Sequence, residues 1–185
     1  TILRLRKENP RRKIVVLTIS LTGKNEIYEE DGILIIRCFK RNSPLSYFDL
    51  LSQIVKFNKP KDVLIEFEFA SFGDSLTTSF MAPFVFALFL LRKNIILVIH
   101  QVLLDIKQLS GHIGVKSNSL KLKVLNLGLK CFYLLLSLPA KKIVVLEQEF
   151  KNRLSVFVNP QKIIVIPHGV DTDISRVNRL NARKK

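Results

Sequence analysis

The chain has 185 residues, of which 30 are Lys or Arg and 15 are Asp or Glu, so its formal net charge is +15. Hydrophobic residues make up 48% of the chain, which excludes a disordered tail and provides for one core. The two cysteines, Cys38 and Cys131, lie too far apart for a zinc-binding motif and form no disulfide framework, which indicates a reducing, cytoplasmic compartment.

Short β-branched runs alternate with helical patterns along the chain. Six near-continuous apolar runs predict strands at 13–19, 33–39, 62–69, 95–100, 142–146 and 162–166. Between them, helices are predicted at about 45–57, 76–91, 119–138 and 149–157. Ser46 and Ser75 are the expected N-caps, and the link at 20–32 is too polar to predict a helix.

The alternation predicts an α/β fold, with a Rossmann-like, doubly wound, mostly parallel sheet and helices on both faces. The expected divisions are a basic N-terminal segment at 1–13, the Rossmann-like domain at 14–166, and an interdomain turn with a basic C-terminal segment at 167–185. The apolar stretch 79–91 is about 13 residues long and ends at a double positive charge, so it predicts a buried helix rather than a membrane span, which needs roughly 20.

The positive charge is concentrated at the two ends. Residues 1–13 carry a net +5 and residues 176–185 another +5, which leaves +5 for the 162 residues between them. Basic ends suit an anionic membrane surface or nucleic acid, and they also occur as solvated tails.

Ligands of open α/β sheets bind at the carboxyl ends of the strands, so the residues just past each run are the candidates for function. His100 ends one run, where it can bind a sugar hydroxyl or act as a base, or can be a satisfied core histidine. Glu66 and Glu68 point to one face of their strand, and Glu68 is the better acid–base candidate because it is nearer the strand end. Cys131 is expected in the core. No phosphate-binding glycine motif is present, and no metal or cofactor is expected.

Four segments resemble the amino-terminal half of a GT-B glycosyltransferase of the family-four type, including its archaeal branch. They are DVLIEFEFASFG at 62–73, NIILVIHQVLLD at 94–105, KKIVVLEQEFKNRL at 141–154 and KIIVIPHGVDTD at 162–173. The last segment is the most specific, and it resembles the family's passage from the first domain into the second.

The resemblance implies two facing domains with the active site in the cleft between them. A nucleotide-sugar is held mainly by the carboxy-terminal domain, and the amino-terminal domain receives the acceptor, a glycan or a lipid-linked molecule. By this resemblance, His100 is a catalytic residue that contacts the donor sugar. The expected substrate-binding residues are Glu68, Gly73 and Gln101. The expected interdomain turn consists of Pro167, His168, Gly169 and Val170.

The chain departs from the family in two respects. A glycine-rich loop after the first strand is not visible, with Gly23 at most a remnant of it. The sequence also stops about a dozen residues after the passage motif, so the expectation is an acceptor-side fragment that is inactive without a donor domain.

Two other functions remain open from the sequence. One is a basic nucleic-acid-binding module, which is disfavoured because the aromatic residues are mainly Phe within apolar runs and do not alternate with basic ones. The other is a membrane-peripheral binding module, which shares its evidence with a transferase that acts on lipid-linked acceptors. The expected location is the cytoplasm, at the inner face of the membrane.

Overall fold

The computed structural model of the chain describes residues 2–57, 61–106 and 120–167. The strands are β1 (Val15–Ile19), β2 (Glu26–Glu30), β3 (Ile33–Phe39), β4 (Asp62–Phe67), β5 (Asn94–Ile99), β6 (Lys142–Val145) and β7 (Ile163–Val165). The helices are α1 (Ile2–Glu8), α2 (Ser46–Lys56), α3 (Phe69–Phe72), α4 (Ser75–Ser79), α5 (Met81–Leu90), α6 (Leu120–Ser137) and α7 (Gln148–Leu154), with a 3-10 helix at Pro160–Lys162.

The strands form two sheets. One has three strands in the order β1-β3-β2, and the other has four in the order β4-β5-β6-β7. All neighbours in the four-stranded sheet are parallel, whereas β2 runs antiparallel to β3. The prediction of an α/β, Rossmann-like fold with a mostly parallel sheet is therefore confirmed: helices flank the parallel sheet, as in doubly wound folds.

Alternate residues of the parallel strands form the centre of the core. The core-facing positions of the four strands are at most 8% exposed: Ile65, Phe67, Ile95, Leu97, Ile99, Ile143, Val145 and Ile163. Burying one such side chain stabilises the fold by about 1.5–3 kcal/mol relative to leaving it in water. These runs are strands because β-branched residues pack well on a pleated surface that is covered.

An aromatic cluster surrounds Phe67, the last residue of β4. The ring of Phe67 contacts those of Phe69, Phe72 and Phe132, with centroids 5.0, 5.8 and 5.5 Å away. Phe72 also meets Phe39 of β3 at 5.4 Å. Each aromatic pair contributes about 0.5–1.5 kcal/mol beyond its buried area. The cluster therefore fixes α3, and with it the segment that follows β4, against both sheets.

The polar link at 20–32, for which no element was predicted, contains β2. Asp31 and Gly32 both have positive φ, at 51° and 73°, as the two central residues of a type I′ hairpin turn require. Such a turn joins β2 to β3. The strand is hard to find in the sequence because it is an edge strand with three glutamates, and its Ile27 is 65% exposed.

The bounds of most predicted elements are off by one to three residues, and two of the differences affect the segment around and after the end of β4. The strand predicted at 62–69 ends at Phe67, since Phe69 begins α3. The helix predicted at 76–91 is divided into α4 and α5 at Phe80. Asp74 takes the N-cap position expected for Ser75, and its carboxylate accepts a 2.7 Å hydrogen bond from the Thr77 backbone N–H. Thr77 lowers the pKa of Asp74 through its hydroxyl, which lies nearby, and through its backbone N–H, which donates the hydrogen bond.

The basic N-terminal segment is structured where it is described. Arg6 of α1 donates to the carbonyl oxygens of Pro10 and Arg12 at 2.9 and 2.8 Å, which folds the segment back on itself. The basic residues at 176–185 lie outside the described residues. Within the described part of the chain, no helix has the length and apolarity needed to cross a membrane, and α5 has only 10 residues.

Candidate functional site

The candidate site is the carboxyl edge of the four-stranded sheet. Phe67 and Ile99 are register partners, so Glu68 and His100 follow β4 and β5 side by side. The His100 N–H donates to the Phe67 carbonyl oxygen at 3.0 Å, and the Ile166 N–H donates to that of Val145 at 2.9 Å. The structure thus brings the predicted residues Glu68, His100 and Pro167 to one edge of the sheet.

His100 is half-buried at this edge. It follows Ile99, which is 1% exposed, so the backbone that carries the imidazole is held by a fully buried strand. An imidazole in such a position can donate or accept a hydrogen bond. Its catalytic role stays a prediction.

Glu68 is exposed, and it accepts a 3.1 Å hydrogen bond from the Ser71 hydroxyl through Oε2. Its extended backbone places it before the first residue of α3. Glu66 is also exposed, two residues earlier in β4, in agreement with the prediction that the two carboxylates share one face. Ser71 orients the carboxylate while leaving acceptor capacity for a ligand.

Gly73 ends α3 with φ +105° and ψ −124°, a conformation that residues with a side chain rarely adopt. A Cβ built on it would lie 2.1 Å from Oδ1 and 2.6 Å from the backbone N of Asn42. The same Oδ1 accepts a 2.8 Å hydrogen bond from the Asp74 N–H, and the Asn42 N–H donates to the Phe72 carbonyl at 3.3 Å. Gly73 therefore permits a close junction between α3 and the loop after β3, and its predicted substrate contact stays a prediction.

The segment after His100 is held by three side chains that sequence reasoning did not identify. Gln101 is exposed, but the next two residues are buried, and the Leu103 N–H donates to the Tyr133 hydroxyl at 2.9 Å. Asn126 accepts from the Ile106 N–H at 2.9 Å, and Arg153 donates to the Val102 carbonyl at 3.3 Å. No spacing in the sequence connects these partners, which are 20 to 51 positions apart. They rigidify the loop that carries Gln101.

Burial raises the pKa of Tyr133 to about 12, with an opposing effect from its hydrogen bond to Leu103. The hydroxyl therefore stays neutral at physiological pH. It remains an acceptor for the Leu103 N–H, so this hydrogen bond does not change with pH near physiological values.

The predicted interdomain turn is described only at its first residue. Pro167 is exposed after β7, whereas His168, Gly169 and Val170 lie outside the described residues. Glu147, which follows β6 at the same edge of the sheet, is exposed and is the N-cap residue of α7. The role of the turn stays a prediction.

The cysteines and the surface depressions lie elsewhere. Cys38 is buried, and burial, followed by the nearby charge of Asp49, raises the pKa of its thiol. Cys131 is exposed on α6, so its predicted place in the core is wrong: it lies on the helix face opposite the buried one. A depression of about 290 Å³ beside Arg6 and Lys13 lies at the amino-terminal ends of β1 and β3, and His100 is not among its lining residues. Among the described residues, no group of three or more His, Cys, Asp or Glu side chains could hold a metal ion.

No protein-family model matches the chain, and no curated protein matches it significantly. The resemblance to glycosyltransferases therefore rests on the four segments quoted above.

Proposed function

We propose that this chain is the acceptor-side domain of a glycosyltransferase that moves a sugar from a nucleotide-sugar to an acceptor. The observation that carries the proposal is the position of His100, directly after a buried parallel strand and beside the strand that ends at Glu68. Open α/β sheets bind ligands at this edge. The sequence segments around both residues resemble the corresponding strands of GT-B enzymes.

In this proposal His100 contacts the donor sugar at the transfer centre, where a neutral imidazole can accept from or donate to a hydroxyl. Glu68 and Gln101 are both exposed at the same edge and line the acceptor side of the cleft. Carboxylate and amide oxygens accept hydrogen bonds from sugar hydroxyls, which suits a glycan or a lipid-linked acceptor. The family resemblance implies retention of the anomeric configuration.

The donor is held mainly by a second domain, which Pro167, His168, Gly169 and Val170 join to this one. Charge on a departing nucleotide diphosphate has to be stabilised by groups that point at it from the facing domain. The domain described here supplies one wall of that cleft, so we expect no transfer by this domain alone.

The test is turnover by a polypeptide in which this chain is followed by a donor-binding domain. His100→Ala should lower turnover about 10²-fold or more, as expected for the loss of one well-placed polar group, while leaving the fold intact. Glu68→Gln should also lower turnover, and Glu66→Gln, two residues earlier in β4, is its matched control. Loss of stability in His100→Ala with unchanged specific activity would contradict the proposal and make His100 a core residue.

A further inference from the structure

We propose that the outer faces of α2, α5 and α6 form a docking surface for an anionic lipid bilayer. The proposal concerns the solvent-facing side of these helices, and it does not depend on the proposed function. It also differs from the sequence-based expectation, which assigned membrane contact to the basic ends of the chain.

The first observation is the outward stripe of α6. The helix buries Leu122, Leu129, Tyr133 and Leu136 in the core. On its opposite side, at helical spacings of three and four, six apolar side chains are 50–76% exposed: Leu120, Val124, Leu127, Leu134, Leu135 and Leu138. A surface helix of a globular domain normally turns polar residues outward. This helix is apolar on two faces, and the core covers only one of them.

The second observation is that the apolar surface continues onto neighbouring helices. α5 packs against both α6 and α2. It exposes Phe86, Phe89 and Leu90 at 46%, 51% and 66%, and the two phenylalanine rings are 6.1 Å apart. On α2, Phe48 and Val55 are 64% and 52% exposed. Contiguous apolar patches of this kind mark interaction surfaces.

The charge around the surface identifies the partner. Residues 75–104 and 120–146, which include α5 and α6, contain no Asp or Glu, and α2 carries one acidic residue, Asp49, and one basic residue, Lys56. The two ranges contain seven basic residues, two in the first range and five in the second: Arg92, Lys93, Lys121, Lys123, Lys130, Lys141 and Lys142. Apolar side chains that enter the acyl boundary, next to Lys and Arg at the level of acidic headgroups, are typical of interfacial membrane helices.

A second copy of the chain is a poorer occupant. Pairing two such surfaces would bring like charges together in a chain whose net charge is already +15. An acidic bilayer neutralises the same charges and covers the apolar stripe. The proposal therefore commits to lipid, and self-association is an outcome that would overturn it.

The absence of tryptophan from the chain permits a direct test. Leu127→Trp places a single reporter on the stripe, at a residue that is 62% exposed. Leu21→Trp places one outside it, in the loop after β1, at a residue that is 76% exposed. With vesicles of phosphatidylcholine and phosphatidylglycerol, we expect the Leu127→Trp emission to shift to shorter wavelength and to be quenched by brominated lipid. Leu21→Trp should do neither.

Flotation of the same vesicles supplies the affinity measurement. Leu127→Gln with Leu134→Gln, which keeps the net charge, should lower binding at least tenfold, whereas Leu21→Gln should not. Binding should weaken with added salt and with vesicles of phosphatidylcholine alone. Equal binding by the stripe variant and the wild-type chain, or no vesicle binding at all, would overturn the proposal. So would a lipid-free dimer that the stripe variant converts to monomer.

Discussion

Replacing Gly73 by alanine tests the junction beside the candidate site. The new Cβ would lie 2.6 Å from the backbone N of Asn42, which cannot rotate away, and 2.1 Å from its Oδ1. The φ of +105° adds strain of about 1–3 kcal/mol for a residue with a side chain. Displacing Asn42 also breaks the Asp74 N–H hydrogen bond, a further cost of about 1 kcal/mol. We therefore expect Gly73→Ala to lower the free energy of unfolding by about 2–4 kcal/mol.

The assay is urea unfolding followed by far-UV circular dichroism. Gly23→Ala is the matched control, because Gly23 also has positive φ, at 76°, but nothing lies within 4 Å of its added Cβ. Strain alone should cost about 1–2 kcal/mol there. If Gly73→Ala destabilised the chain no more than Gly23→Ala, the close approach to Asn42 would be refuted.

Three further predictions concern stability. Tyr133→Phe should lower the free energy of unfolding by about 1–3 kcal/mol because the buried Leu103 N–H loses its partner. Tyr47→Phe should lower it little, because the buried Tyr47 hydroxyl has no hydrogen-bond partner. Chemical unfolding compares the two variants, and equal losses would contradict a stabilising role for the Tyr133 hydrogen bond. Since burial raises the pKa of Tyr133 to about 12, above the unfolded value of about 10, its contribution is present below pH 10 and is lost as the pH rises toward 12. Stability measured across that range should fall less steeply in Tyr133→Phe, and an unchanged slope would exclude this cause. Gly128→Ala, in the exposed interior of α6 with open space around its Cβ, should raise stability by up to about 1 kcal/mol in thermal unfolding, and a loss would show that the site is constrained.

The sequence predicts most of the parallel sheet, and the reason is local. β5 and β6 are runs of Ile, Leu and Val that read as covered strands without any tertiary information. β2 is missed because an edge strand needs no apolar alternation, and its hairpin is specified mainly by the Asp31–Gly32 turn. The division of 76–91 into two helices agrees with the position of Pro83 in the first turn of α5, because a proline has no N–H to donate to the Ser79 carbonyl four residues earlier.

For the candidate site and the apolar surface too, the sequence predicts what local patterns determine and misses what tertiary packing determines. Placing His100 and Glu68 at one sheet edge follows from strand ends and parallel topology alone. The contact of Gly73 with Asn42 joins loops 31 positions apart, which no local pattern reveals. Hydropathy identified α6 as apolar but could not show how many of its faces the core covers, so Cys131 was predicted inside and lies outside.

The measurement that tests the glycosyltransferase assignment most directly is a titration of this chain with nucleotide-sugars, followed through the imidazole NMR signals. The chain has three histidines, and the spectrum of His100→Gln assigns the signal of His100. We expect nucleotide-sugars to shift the His100 signal with a Kd of about 1 mM, or about 4 kcal/mol, because in the proposed architecture a second domain supplies most of the donor site. A His100 signal that no nucleotide-sugar moves would contradict the assignment. Tight, saturable binding would contradict the two-domain architecture.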